Sequence, residues 1–229
     1  MNEYALNLSA IFGFGVLLYL CRPLIAFALL PLWGALIQRR LARYSRQECA
    51  FETITNEAQL LKLQESFAPE LKELRELNFE HLLSWSNLNF QKEGAESLSV
   101  AWRSTSGETV CCLSWIALPP PPALLRWMLG SCSNGLSQPA LSATFESSTE
   151  DGSRLFTVRI NFTMPPLPTH YHMIALNPDC TLIEGYDRHQ HELKVFQERT
   201  NSALVRYTSG ALLLRHQRIQ HKELHTRNA

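Results

Sequence analysis

His170 and His172 alternate along an extended stretch, His170 to Leu176. Side chains two apart on a strand face the same way, a spacing with which two imidazoles can hold a metal when a third ligand comes from elsewhere. No Asp, Glu or Cys is placed by the sequence to complete that set, and the alternative is a pair of half-exposed strand residues beside a proline-rich loop. His189 and His191 lie two apart on a predicted helix, about 200° around its axis, and cannot share an ion. His189 instead falls on an apolar stripe, where a packed histidine with a hydrogen bond is expected. His221 and His225 suit one helical face but sit in a terminal segment. The chain has no Gly-x-Ser-x-Gly elbow, Walker loop, Gly-x-Gly-x-x-Gly or His-Glu-x-x-His. The metal candidates are therefore His170 and His172, no catalytic residue is named, and no cofactor is implied.

The cysteines Cys21, Cys49, Cys111, Cys112, Cys132 and Cys180 show no Cys-x-x-Cys spacing. They form neither a zinc nor a disulfide framework. Cys111 and Cys112 are adjacent in a predicted strand, so they point to opposite faces and supply small buried side chains. Lys plus Arg number 21 and Asp plus Glu 21, so no global field points to nucleic acid.

Around this chemistry the chain is organised by its start. Tyr4 to Cys21 has no charged residue, and about 20 apolar residues cross a hydrocarbon core about 30 Å thick. Arg22-Pro23 separates it from a second apolar run, Leu24 to Ile37. The expectation is an N-terminal transmembrane helix, with the second run in the interface, or a helical hairpin turning at Arg22-Pro23. Arg39, Arg40, Arg43 and Arg46 follow, while nothing basic precedes. By the positive-inside rule the remainder faces the cytoplasm from the inner membrane, and these arginines are candidates for anionic headgroups.

The expected domains are a membrane anchor over 1–46, an α+β domain over 47–208, and a basic helix or tail over 209–229. The first predicted elements are two short helices meeting near Ser66 to Pro69, with Asn56 as cap and apolar positions Leu60, Leu63, Phe67, Leu71 and Leu74. From Leu88 the pattern turns to strands. Leu98, Val100 and Trp102 alternate, Ser104 to Glu108 turns, and Thr109 to Leu118 returns. A second hairpin runs from Leu141 through Glu150-Asp151-Gly152 to Phe162. Thr181 with Glu184 forms a capping box for a helix striped by Leu182, Tyr186, His189, Leu193 and Phe196. Between the hairpins, four prolines (119–122) lead to an apolar segment carrying Leu124, Leu125, Trp127 and Met128. It is either core or an exposed contact for membrane or partner.

Glu76-Leu77-Asn78-Phe79, the hairpin from Thr144-Phe145 through Asp151-Gly152-Ser153 to Leu155 and Thr157, and the helix with His189 and Leu193 resemble a group of bacterial membrane-anchored proteins of unknown function. The resemblance implies an architecture and no site.

The sequence thus leads to an antiparallel sheet packed with amphipathic helices, in a membrane-anchored cytoplasmic binding domain without a catalytic signature. Its expected partners are the lipid bilayer and a membrane or cytoplasmic protein. The alternative is an unrecognised enzyme with a histidine-based, metal-assisted site on the His170 strand.

Overall fold

The computed structural model describes residues 25, 28–36, 39, 50–92, 94–120, 122–129, 138–159 and 168–226. The chain divides into two units, Met1–Arg43 with Leu118–Gln138, and Tyr44–Ala117 with Pro139–Ala229. Leu118–Gln138 is thus grouped with the N-terminal residues and not with the chain on either side of it.

In the first unit, residues 28–36 form a helix (α1) and Ala123–Leu129 a second (α5 below, by chain order). Leu125 and Met128 are buried, and Leu30 and Trp33 pack against them. The transmembrane helix or hairpin expected from the sequence is corrected here. Among the described residues no helix is long and apolar enough to cross a membrane. Tyr4 to Cys21, on which the first span was placed, lies outside the described residues.

The second unit opens with β1 (Phe51–Thr53), α2 (Glu57–Ser66) and α3 (Ala68–Glu76). Asn56 Oδ1 accepts from the Ala58 N–H at 2.9 Å and starts α2. A proline in the first turn lets α3 begin directly after α2. Then follow β2 (Glu80–Asn87), α4 (Leu88–Gln91), β3 (Glu96–Arg103) and β4 (Val110–Ala117). After α5 come β5 (Ala140–Ser148), β6 (Arg154–Arg159), β7 (Tyr171–Leu176), α6 (Leu182–Thr200) and α7 (Gly210–Thr226).

The seven strands lie in chain order, β1 to β7. Neighbours are antiparallel up to β6, but β6 and β7 run parallel, with Arg154 opposite Tyr171. The wholly antiparallel sheet expected from the sequence is thereby corrected to a mixed one. Apolar alternation along a strand sets which face is buried and carries no information on strand direction, which the connection decides.

Period-two alternation gives the sheet two different faces. Leu98, Val100, Leu113, Ala143 and Phe145 pack with Leu63, Phe67, Leu71 and Leu74 of the α2–α3 region and with Leu182 of α6. On the other face Ala101 and Val110 pack with Tyr207 and with Leu213 of α7. The segment expected as a basic helix or tail is therefore a helix with a buried anchor. Cys111 belongs to the first cluster and Cys112 packs on the second, so the adjacent pair does split across the sheet.

The capping box at α6 forms between Thr181 and Glu184. Glu73 of α3 also accepts from the N–H groups of Leu182 and Ile183 at 2.7 and 3.2 Å, placing a carboxylate at the positive end of the helix dipole.

Candidate functional site

The two candidate metal ligands diverge. His170 lies in the turn before β7 and approaches Glu223 of α7, Nε2 to Oε2 at 3.5 Å. Tyr171 donates its hydroxyl proton to the same carboxylate. His172 packs edge-on against Phe196 of α6 and lines a cleft of about 200 Å³ with Glu192 and Arg199. A turn residue does not obey strand alternation, which is why the two rings meet different helices. Among the described residues no group of three or more His, Cys, Asp and Glu could hold a metal ion.

His189 is fully buried between Thr157, whose Oγ1 lies 3.0 Å from Nδ1, and Ser147, whose Oγ lies 3.0 Å from Nε2. Ser147 also pairs with Thr109 at 3.0 Å, and Gln190 Nε2 donates to Thr109 at 3.2 Å. Burial pushes the imidazole down to about 3, so it is neutral at pH 7. A serine beside a histidine resembles a nucleophile and its base, but this pair is closed off from solvent and stitches α6 to the sheet.

Beneath α7 lies a second polar cluster that the sequence does not announce, because no local spacing links Glu146 and Arg154 to each other or to α7. Arg154 Nη1 donates to Glu146 Oε1 at 3.1 Å and Nη2 to the His216 carbonyl at 3.0 Å. Gln217 Nε2 donates to Glu146 Oε2 at 2.9 Å, and the Tyr207 hydroxyl to Oε1 at 3.4 Å. Burial raises the Glu146 carboxyl above its usual range, while Arg154 and the donors act against this. These groups engage one another and α7.

The open concavity lies elsewhere, between α2–α3 and strands β2 and β3. It encloses about 320 Å³ and is lined by Leu60, Leu63, Leu71, Val100 and Trp102, with Gln64, Arg75, His81 and Ser84. His81 Nε2 is 3.0 Å from Ser84 Oγ, and its ring meets Trp102 edge-on. Burial lowers the His81 pKa. Among the described residues Trp102 Nε1 is buried without a hydrogen-bond partner. The sequence signal was limited to alternation at Trp102; β2, which supplies His81, was not foreseen.

The first unit presents a different kind of surface. Ile25, Leu29, Leu32 and Leu36 are all exposed and recur at four, three and four residues, one stripe of a helix. Leu32 is 66% exposed. Of the segment Leu124, Leu125, Trp127 and Met128, the second and fourth are buried, while Leu124 and Trp127 stay 67% and 56% exposed. Arg39 is helical and exposed; Arg40, Arg43 and Arg46 lie outside the described residues.

Compared with known proteins, the chain matches no family model, no curated protein and no solved structure.

Proposed function

We propose that the protein is a non-catalytic binding domain held against a lipid surface by its helical unit. The observation that carries this reading is the exposed stripe Ile25, Leu29, Leu32 and Leu36. Burying a leucine side chain is worth about 1.5–3 kcal/mol, and a contiguous apolar face of this kind marks an interaction site. Three features favour a bilayer over a protein as its occupant. The stripe ends at exposed Arg39 and, in the sequence, at Arg40, Arg43 and Arg46, which suit anionic headgroups at about 1 kcal/mol each. Trp127 is an aromatic of the interfacial type, amphipathic and half exposed. In sequence, the uncharged residues 4–21 also precede the stripe, separated from it by Arg22-Pro23. Arginines next to the apolar face are drawn to the anionic inner leaflet, so the sheet domain faces the cytoplasm in this reading. Its partner there is a ligand or protein rather than a substrate.

The reading is tested by placing a fluorescent nitrobenzoxadiazole amino acid at Leu32 or at Leu124 in the full chain, with Leu61 of α2 as comparison. On addition of phosphatidylcholine–phosphatidylglycerol vesicles, the probes at 32 and 124 are expected to shift to the blue and to be quenched by nitroxide lipid. The probe at 61 is expected to stay unchanged. If positions 32 and 124 keep their aqueous emission with vesicles present, the proposal fails.

A further inference from the structure

The cavity between α2–α3 and β2–β3 is lined by both polar and apolar side chains. The connection from Glu76 to Glu80 is short, so Arg75, in the last turn of α3, lies at the same end as His81, at the start of β2. His81 is in turn the cross-strand partner of Trp102. The connection and the strand pairing thus bring Arg75, His81 and Trp102 near one another, and Leu60, Leu63, Leu71 and Val100, with Gln64 and Ser84, complete the lining. Among the described residues no carboxylate pairs with Arg75. The Trp102 N–H is buried without an acceptor, in a class of group that native structures rarely leave unmade.

We propose that this cavity is a binding site for an amphipathic carboxylate, with its chain or ring along Leu60, Leu63, Leu71 and Val100 and its carboxylate at the Arg75–His81–Trp102 end. The volume of about 320 Å³ falls at the small end of ligand pockets, about 300–1,000 Å³, which suits a free acid and not a whole phospholipid. Each polar group has a part that the chemistry requires. The Arg75 guanidinium presents paired donors that fit a carboxylate's two oxygens. The Trp102 Nε1–H can only donate, so its missing partner must be an acceptor. His81 already bonds Ser84 and can give its other ring nitrogen to the ligand. The ring of His81 stands edge-on to the indole, and Nε1 itself is closed to solvent, so the indole or its neighbours must shift as the acceptor enters.

This site is independent of the lipid-facing stripe, and the test keeps the two apart. The probe is decanoate below its micellar concentration, titrated calorimetrically into the full chain, with decanamide as the uncharged comparison. Saturable binding of one decanoate per chain is expected, and the Trp102 indole N–H resonance, assigned with Trp102→Phe, is expected to move downfield. Arg75→Gln changes an exposed side chain and leaves the fold intact. It is expected to weaken decanoate by about tenfold and to leave decanamide unchanged. Leu60→Trp fills the cavity and is expected to abolish both. The double variant Leu29→Ser with Leu32→Ser, in the helical unit, is expected to bind decanoate as the native chain does. The proposal is overturned by an absence of saturable binding, by a Trp102 resonance that stays put at saturation, or by equal decanoate affinity in Arg75→Gln. A loss confined to the Leu29→Ser, Leu32→Ser variant also overturns it, by placing decanoate on the lipid-facing stripe.

Discussion

Glu146 of β5 and Arg154 of β6 meet diagonally across neighbouring strands, Arg154 being paired with Ser148 and Glu146 with Phe156, with 2% and 4% of their side chains exposed and Nη1 to Oε1 at 3.1 Å. The pair is covered by α7, which contributes the Gln217 amide and the His216 carbonyl to it. A helix that reads in sequence as a basic C-terminal segment is thus registered on the sheet by a buried charge pair.

Removing one member of such a pair leaves an uncompensated buried charge. Arg154→Met is expected to lower stability by about 3–5 kcal/mol, and the double variant with Glu146→Gln by clearly less than the two single losses added together. Urea unfolding of the four proteins measures this; simple additivity would show that the charges do not interact.

His189 sets an acid limb. Its folded pKa, about 3, lies below the usual value near 6.5, so the unfolded chain binds more protons between those two pH values. Stability contributed by the neutral ring is complete above about pH 6.5 and is lost as pH falls toward 3, by up to about 1.4 kcal/mol per pH unit. Replacing it by glutamine should flatten the dependence of the urea midpoint on pH between 4 and 6.5. An unchanged slope would mean that other groups set the limb.

Gly210 begins α7 where Leu83 of β2 leaves no room, since an added Cβ would meet Leu83 Cβ at 3.0 Å and its two methyls at 3.2 and 3.3 Å. The nearest obstacle is the Leu83 Cβ, which rotamer change cannot move. Gly210→Ala is expected to cost about 1–3 kcal/mol, and Leu83→Ala in the same chain to relieve part of that cost. Thermal denaturation decides, and a Gly210→Ala protein as stable as the native one would refute the close approach.

Glu73 belongs to α3 yet caps α6. Glu73→Ala is expected to destabilise by about 1 kcal/mol and to raise amide exchange at Leu182 and Ile183, whose N–H groups it accepts. Unchanged protection at those two amides would place the cap elsewhere.

His170 and His172 meet different helices, so zinc titrated into the full chain should not perturb their two imidazole signals together. A stoichiometric response lost in both His170→Ala and His172→Ala would restore the metal-assisted reading.

Much of the sheet domain was legible before the structure. Pro69 divided α2 from α3 because its missing N–H suits a first turn. Asp151-Gly152 marked the β5–β6 turn, where Gly152 adopts φ 87°. Thr181 and Glu184 announced α6 through a capping box that needs only local residues. The strand β2 escaped notice because Glu80-His81-Leu82-Leu83 does not alternate, its register shifting between His81 and Leu83, and a bulge breaks the period on which strand reading depends.

The sequence by itself determined the local elements, their buried faces and the absence of a recognised catalytic motif, since these follow from spacing and side-chain type within a few residues. Only the tertiary structure decided what those elements meet. It turned the last strand pair parallel, gave His170 and His172 to different helices, and drew Leu125 and Met128 onto Leu30 and Trp33 while leaving the surfaces of Leu32 and Trp127 exposed. It also joined α2, α3, β2 and β3 around one cavity. Such pairings rest on contacts between residues far apart in the chain, and neither periodicity nor propensity carries their geometry.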